Sequence, residues 1–189
     1  PIAFFLILPS YNYILGKLFL YLLLKFKLIS KPVESIELSS YKPDFYPAKM
    51  PNALAGIALN QFQKLDSFNQ KRKKFAGMYF EKLKSIPSFR LPYDIKGAIY
   101  LRFNILVDKR DKLYAYFKKR KILLGSWYSN TIDPKGVDFA KINYKSGSLS
   151  NAELKAKLCL NLPTYPRMKE KDVLLIVRIL KEYADYKNQ

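Results

Sequence analysis

Between Asn52 and Leu83 the apolar residues return every three or four positions. Leu54, Ile57, Ala58, Phe62, Leu65 and Phe68 mark one face, and Phe75, Tyr79 and Leu83 continue it. That spacing stacks side chains along one stripe of an α-helix. It predicts a single helix over about residues 52–85, roughly 50 Å long at 1.5 Å per residue. Pro51 and Asn52 supply the stop-and-cap signal, with Asn52 as N-cap. Ala55, Gly56 and Ala58 make the first turns thin, which lets another backbone approach closely. Gln61 lies on or beside the apolar face and is expected to hydrogen-bond a neighbour.

The period then shortens. "GAIYLRFNILV" alternates and predicts a strand over about residues 97–107. "DKRDKLYAYFKKR" places Leu113, Tyr116 and Phe117 at helical spacing, with aspartates near its start, where the helix dipole favours them. "KILLGSWY" predicts a second short strand ending at Gly125 or shortly after. "SNAELKAKL" predicts a short helix capped by Ser150 or Asn151. "CLNLPTYP" predicts a brief strand closed by prolines. "KEKDVLLIVRILKEYADY" predicts a last helix with Val173, Ile176, Val177 and Leu180 inward. Three strands in one small sheet, covered by helices on one face, make an α+β layer. No internal repeat is visible.

The chain opens on "PIAFFLILPSYNYILGKLFLYLLLKFKLI". A membrane-spanning helix needs about 20 apolar residues. Here Pro9, Ser10, Asn12 and Gly16 interrupt the run, and Lys17 sits in its middle, at a cost of roughly 3 kcal/mol for insertion. A signal peptide is not expected either, because no basic region precedes the run and no small-residue cleavage site follows it. The better parse is two short helices, one ending near Pro9 and the other running from about Tyr11 to Leu28. Its readings are a buried or partner-covered helical pair, a membrane-surface hairpin with Lys17, Lys25 and Lys27 snorkelling, or a true span. The next stretch, to Pro51, carries four prolines and reads as an extended linker or irregular loop. Tyr41, Phe45 and Tyr46 suggest that it packs against something. The expected division is an apolar helical segment over 1–30, a linker over 31–51 and a folded domain over 52–189.

Composition narrows the chemistry. The sequence holds no histidine and a single cysteine, Cys159. That removes histidine-based triads and proton shuttles, intramolecular disulfides and multi-cysteine zinc sites. No metal site is expected. Lys and Arg outnumber Asp and Glu by 34 to 15, a formal net charge of +19. Such a field attracts polyanions: nucleic acid, anionic lipid or phosphorylated small molecules. The basic residues are spread over every segment, which equally fits a compositional bias towards lysine. The clusters "QKRKK" and "KKRK" lie at helix ends, where cations suit the dipole, so nucleic acid is the weaker reading. The first residue is Pro, and the chain reads as a fragment or processed product.

The stretch "KMPNALAGIALNQFQKLDSFNQKRKKFAGMYFEKL" resembles the DegT/StrS-type sugar aminotransferases. The resemblance rests on Lys49-Met50, the small residues Ala53 to Ala58, Gln61-Phe62 with Leu65-Asp66, Lys71-Arg72, and Ala76, Tyr79 and Leu83. Downstream, "YLRFNILVDKRDKLYAYFKKRKILLGSWY" is similar to the family's strand, its Arg-Asp helix start and its Gly-x-Trp-Tyr strand end. "LNLPTYPRMKEKDVLLIVRIL" is similar to its Asn-Leu-Pro-Thr segment and last helix. The likeness covers about residues 43–183 in the correct order. The apolar opening is similar to inserts that some divergent members carry before this helix.

The resemblance implies the C-terminal small domain of a fold type I enzyme that uses pyridoxal phosphate. It implies amino transfer from an amino-acid donor to a keto group on a nucleotide-linked sugar. It further implies a homodimer with shared active sites and a cytoplasmic location. In the family the Schiff-base lysine follows a Ser-Phe segment and precedes a glycine-rich turn, and no lysine here has that context. An Asn that reaches the partner's cofactor phosphate in many members corresponds to Pro47, and the Arg of Arg-Met corresponds to Lys49. This chain alone is therefore not expected to transaminate. Lys49 is the candidate for phosphate or cofactor contact, and Trp127 and Tyr128 for the substrate side. A solvated loop lysine and plain aromatic packing are the respective alternatives. Asn161 is expected to fix the backbone around its turn, and Arg102 to lie on a solvated face. The competing function is a basic, membrane-associated, non-catalytic protein that touches lipid through residues 2–29.

Overall fold

The computed structural model describes residues 14–26, 28–29, 33, 35–44 and 46–187. They fall into two compact units, one built from Pro1–Pro47 and Pro134–Tyr144, the other from Ala48–Asp133 and Lys145–Gln189.

In the first unit, α1 runs over Ile14–Lys25 and α2 is a single turn over Ser35–Leu38. The helix expected over Tyr11 to Leu28 thus ends early, at Lys25, while its first residues and the helix expected to end near Pro9 lie outside the described residues. The single turn α2 lies within the stretch expected to be linker. Leu18, Tyr21, Phe26 and Leu28 are exposed. Among the described residues no helix is long and apolar enough to cross a membrane. The segment Pro134–Tyr144 is tied in by the Asp138 N–H, which donates to the Leu38 carbonyl at 2.9 Å. Lys141 lies over the Tyr41 ring at 4.8 Å.

The second unit holds α3 (Asn52–Phe62), α4 (Leu65–Leu83), β1 (Phe103–Leu106), α5 (Arg110–Lys119), α6 (Ser150–Leu158), β2 (Cys159–Leu162) and α7 (Glu170–Lys187). The single long helix expected from Asn52 is two helices, broken at Gln63 and Lys64. The Lys64 N–H tightens the break by donating to the Gln61 carbonyl at 3.1 Å. Propensity alone holds short helices weakly, and packing decides continuity. No residue of α3 is buried, whereas α4 buries Phe75, Ala76, Tyr79 and Leu83. Asn52 is the first helical residue, with Pro51 at the cap position and no side-chain cap. Gln61 is exposed and its side chain makes no hydrogen bond among the described residues.

The core lies where α4, α5 and α7 meet the inner face of the sheet. Phe103 and Ile105 of β1, Leu160 and Leu162 of β2, Leu113 and Phe117 of α5, and Val173, Ile176, Val177 and Leu180 of α7 are all buried. Each such side chain contributes about 1.5–3 kcal/mol relative to exposure. The inward positions expected of α7 are therefore those observed. Tyr79 and Phe80 reach Phe103 at ring separations of 5.2 and 4.8 Å.

The sheet has two strands where three were expected. β1 and β2 pair antiparallel, with Phe103 opposite Leu162, Asn104 opposite Asn161, Ile105 opposite Leu160 and Leu106 opposite Cys159. Single bridges extend it on both edges, Arg90 to Leu106 and Gly125 to Asn161. Two side chains explain the shortening. Thr164, buried in the "NLPT" segment, aims its hydroxyl at the carbonyls of Tyr100 (2.7 Å) and Leu101 (2.9 Å). Those carbonyls are withdrawn from any ladder, so β1 starts at Phe103. On the other edge the Asn161 side chain takes both backbone groups of Trp127, which a further rung would have used.

The cap expected of Ser150 or Asn151 is supplied otherwise. No side-chain cap bond stands at the start of α6; the Glu153 carboxylate accepts the Gly147 N–H (2.7 Å) and the Leu149 N–H (3.4 Å). That places negative charge on the first turn, where the helix dipole favours it.

Candidate functional site

Asn161 is an amide on a strand that is otherwise apolar, and it is only 2% exposed. A buried amide is costly unless its groups are hydrogen-bonded. Its Oδ1 accepts the Trp127 N–H at 2.7 Å. Its Nδ2 donates to the Trp127 carbonyl at 2.6 Å and to Asn104 Oδ1 at 2.6 Å. Gly125 must be glycine for this to fit, because a Cβ there would lie 2.8 Å from Asn161 Oδ1 and 2.9 Å from its Cβ. The chain leaving Gly125 is thus held against β2 by a side chain and delivers Trp127 and Tyr128 to the surface.

Trp127 and Tyr128 are 55% and 56% exposed, with their rings stacked at 5.9 Å and 29°. The peptide between them is cis. Arg102 also lies over the indole, with its Cζ 3.9 Å from the Trp127 ring centroid. Arg102 and Asn104 are two apart along the chain and alternate with the buried Phe103 and Ile105, which places them on the face away from the core. Arg102, expected on a solvated face, does lie on the face away from the core, but the residue is only partly exposed and its guanidinium lies over an aromatic ring. The signal available in the sequence was that period of two, Arg102 with Asn104, opposite a strand end bearing Trp127. Asn161 does fix backbone, but its side-chain bonds go to Trp127 and not to the turn that follows it.

Lys49 is exposed in the extended segment before α3 and makes no hydrogen bond or ion pair among the described residues. It is not brought together with Trp127 and Tyr128 by any interaction. Every described lysine side chain is exposed except Lys82, which is half-buried and pairs with Glu81 at 2.9 Å. Among the described residues no lysine side chain is enclosed. Among the described residues no group of acids and cysteines is arranged to hold a metal ion.

Two ionisable groups near the site are shifted by burial. The Cys159 thiol, 3.7 Å from the Trp127 carbonyl, is pushed up by burial, with Arg110 pulling the other way. Tyr79, whose hydroxyl donates to the Pro163 carbonyl at 3.1 Å, is raised far above the ordinary phenol value, chiefly by burial. Separate from these, an open cleft of about 560 Å³ lies between α5 and α7, lined by Lys109, Lys112, Tyr116, Lys119, Tyr183 and Tyr186.

Helices packed around this short antiparallel pair match part of the fold type I aminotransferases. Over 69% of this chain and 35% of the other, the structure superposes on S. venezuelae DesV, solved in complex with a ketimine intermediate, at a TM-score of 0.61 and 25% identity. It superposes on PseC of Helicobacter pylori, an aminotransferase involved in the biosynthesis of pseudoaminic acid, at 0.63 and 18% identity, over 77% of this chain and 43% of that one. The chain belongs to the DegT/DnrJ/EryC1/StrS aminotransferase family, whose pattern matches residues 40–181. A curated relative, the "pleiotropic regulatory protein" of Geobacillus stearothermophilus, is 29% identical over 142 residues, 73% of this chain and 38% of that protein. The chain thus spans well under half the length of the relatives it matches. Relatives of this fold have been solved with PLP or PMP bound.

Proposed function

We propose that this chain is the C-terminal small-domain part of a pyridoxal-phosphate-dependent sugar aminotransferase, with residues 52–189 as that domain, 31–51 as a linker and 1–30 as an inserted apolar segment. The observation that carries this reading is the coverage. The family pattern runs over residues 40–181, yet the chain accounts for only 38% of its curated relative. The Schiff-base lysine and the acid for the pyridinium nitrogen then belong to a preceding domain. When bound, the cofactor supplies the electron sink for moving an amino group from an amino-acid donor to a nucleotide-linked keto sugar. This chain's part is to bind and orient. Trp127 and Tyr128 present flat aromatic faces to the sugar nucleotide, and Lys49 meets phosphate in a homodimer whose active sites are shared between subunits. The location that goes with this role is cytoplasmic.

The test is reductive trapping with borohydride. The 189-residue chain incubated with the cofactor should retain no stoichiometric pyridoxyl-lysine, whereas the product of the longer reading frame should retain one per chain and sediment as a dimer. Stoichiometric trapping on the short chain, or none on the long product, would overturn the proposal.

A second reading is favoured by one observation. Leu18, Tyr21, Phe26 and Leu28 stand exposed on and just after α1, as an interfacial helix requires. Flotation with anionic liposomes at low salt tests it, and absence of the chain from the lipid fraction removes it.

A further inference from the structure

Arg102 is a guanidinium held in place with nothing to bind. A guanidinium carries five N–H donors in a planar fork. Three other arginines of the second unit meet carboxylates: Arg90 meets Asp108 at 3.4 Å, Arg110 meets Asp111 at 2.8 Å, and Arg178 meets Glu182 at 3.7 Å. Arg102 has no hydrogen bond and no ion pair among the described residues; its sole partner is the Trp127 ring at 3.9 Å. Stacking uses the flat face of the group and leaves the N–H edge uncommitted.

The support beneath it is rigid. Arg102 directly precedes β1, where Phe103 is fully buried. The carbonyl just before it, that of Leu101, is held by the Thr164 hydroxyl at 2.9 Å. Its aromatic partner is fixed in turn, because Asn161 holds both backbone groups of Trp127. A long side chain ordinarily loses rotamer freedom when it binds, and one already ordered against a ring loses less. The geometry points to Arg102, stacked on Trp127 and flanked by Tyr128, as a binding subsite for an oxyanion, a carboxylate or a phosphate, two of whose oxygens are taken in the plane of the guanidinium by parallel hydrogen bonds. The proposed function enters only in naming two sources, the carboxylate of an amino-acid donor and the diphosphate of a sugar nucleotide; the subsite itself stands on Arg102 and its supports.

Trp127 is the single tryptophan of the chain, so its emission reports on this subsite alone. The 189-residue chain is titrated with sodium glutamate, sodium pyrophosphate and sodium chloride at matched ionic strength, with excitation selective for indole. A saturable change with glutamate and not with pyrophosphate assigns the donor carboxylate. The converse assigns the diphosphate. In either case Arg102→Gln should weaken the apparent affinity by about tenfold or more, the loss expected for a charge-assisted pair. Arg102→Lys, which keeps the charge and lacks the fork, should fall between, and it serves if the glutamine variant does not fold. Lys119→Gln removes the same charge from α5 and should leave the titration unchanged. A response that chloride reproduces, or that survives in Arg102→Gln, or that Lys119→Gln abolishes equally, would overturn the subsite and reveal only the general field of a chain of charge +19. None of these outcomes depends on cofactor trapping, so the subsite and the proposed function fail separately.

Discussion

Asn161 grips the backbone of Trp127 from both ends, accepting its N–H at 2.7 Å and donating to its carbonyl at 2.6 Å. A side chain stands in for the next rung of a β-ladder. The consequence is that the surface bearing Trp127, Tyr128 and Arg102 is anchored to β2, inside the core, although the segment carrying the two aromatics is irregular.

Replacing Asn161 by Ala should therefore be severe. Three hydrogen bonds disappear, and the Trp127 N–H and Asn104 Oδ1 lose their partner. A net bond contributes about 1 kcal/mol. The expected loss is about 2–4 kcal/mol in denaturant unfolding, with Trp127 emission shifted to the red in the folded protein as its segment loosens. A loss below about 1 kcal/mol with unshifted emission would show that the Trp127 segment is held by something else.

Two glycines should respond with opposite signs to the same change. Gly125→Ala drives a Cβ to 2.8 Å from Asn161 Oδ1 and should destabilise by about 1–3 kcal/mol, the range for overpacking. Gly77 is exposed within α4, and a Cβ there meets nothing within 4 Å. Gly77→Ala should stabilise by about 0.5–1 kcal/mol by removing the entropic cost of glycine in a helix. Paired thermal melts of the two variants read both signs.

The elements from α4 onward were legible because they are packed. Ala76, Tyr79 and Leu83 repeat at three and four, and each meets the sheet or α7 from one side, so pattern and burial agree. Asn161 was legible as a residue that fixes backbone, though not the groups it would hold, and Thr164 only as part of the "NLPT" segment. What the pattern misjudged lies where packing is absent or side chains replace backbone. The apolar stripe runs across the break, from Ile57 through Phe62 and Leu65 to Phe68, but no residue of α3 is buried, and the helix breaks. Alternation reaches back to Gly97, but Thr164 diverts the carbonyls of Tyr100 and Leu101. Arg102 looked solvated because a stack on Trp127 joins residues 25 positions apart, a distance that no local periodicity can sense.

Cys159 offers a test of the buried edge. Its thiol is 8% exposed and its pKa is raised by burial, so both access and thiolate fraction oppose reaction. Disulfide exchange with an aromatic reagent near pH 8 should be slower in the folded chain than in denaturant by on the order of 100-fold, since attack waits on local opening. Asn161→Ala should raise the native rate, because the segment whose Trp127 carbonyl lies 3.7 Å from the sulfur is then released. Equal rates in the folded wild type and the denatured chain would mean that β2 is not buried as described.

Tyr79 links pH to stability. Its hydroxyl is buried beneath the "NLPT" segment, and its folded pKa lies above the ordinary 10.0. Below that ordinary value both folded and unfolded chains hold the proton, and the group adds no pH dependence. Above it the unfolded chain releases the proton while the folded chain retains it, so the unfolded state is favoured as pH rises. Stability should thus be flat with respect to this group up to about pH 10 and fall beyond it. Tyr183 and Tyr100 are raised in the same direction by burial, so the wild-type slope is shared, and the contribution of Tyr79 is read by difference. Tyr79→Phe removes the hydrogen bond to the Pro163 carbonyl and should cost about 1 kcal/mol at neutral pH. It should also lose stability less steeply than the wild type between pH 9 and 11, so the two unfolding curves converge as the solution becomes alkaline. Parallel curves across that range would place the Tyr79 hydroxyl in contact with water.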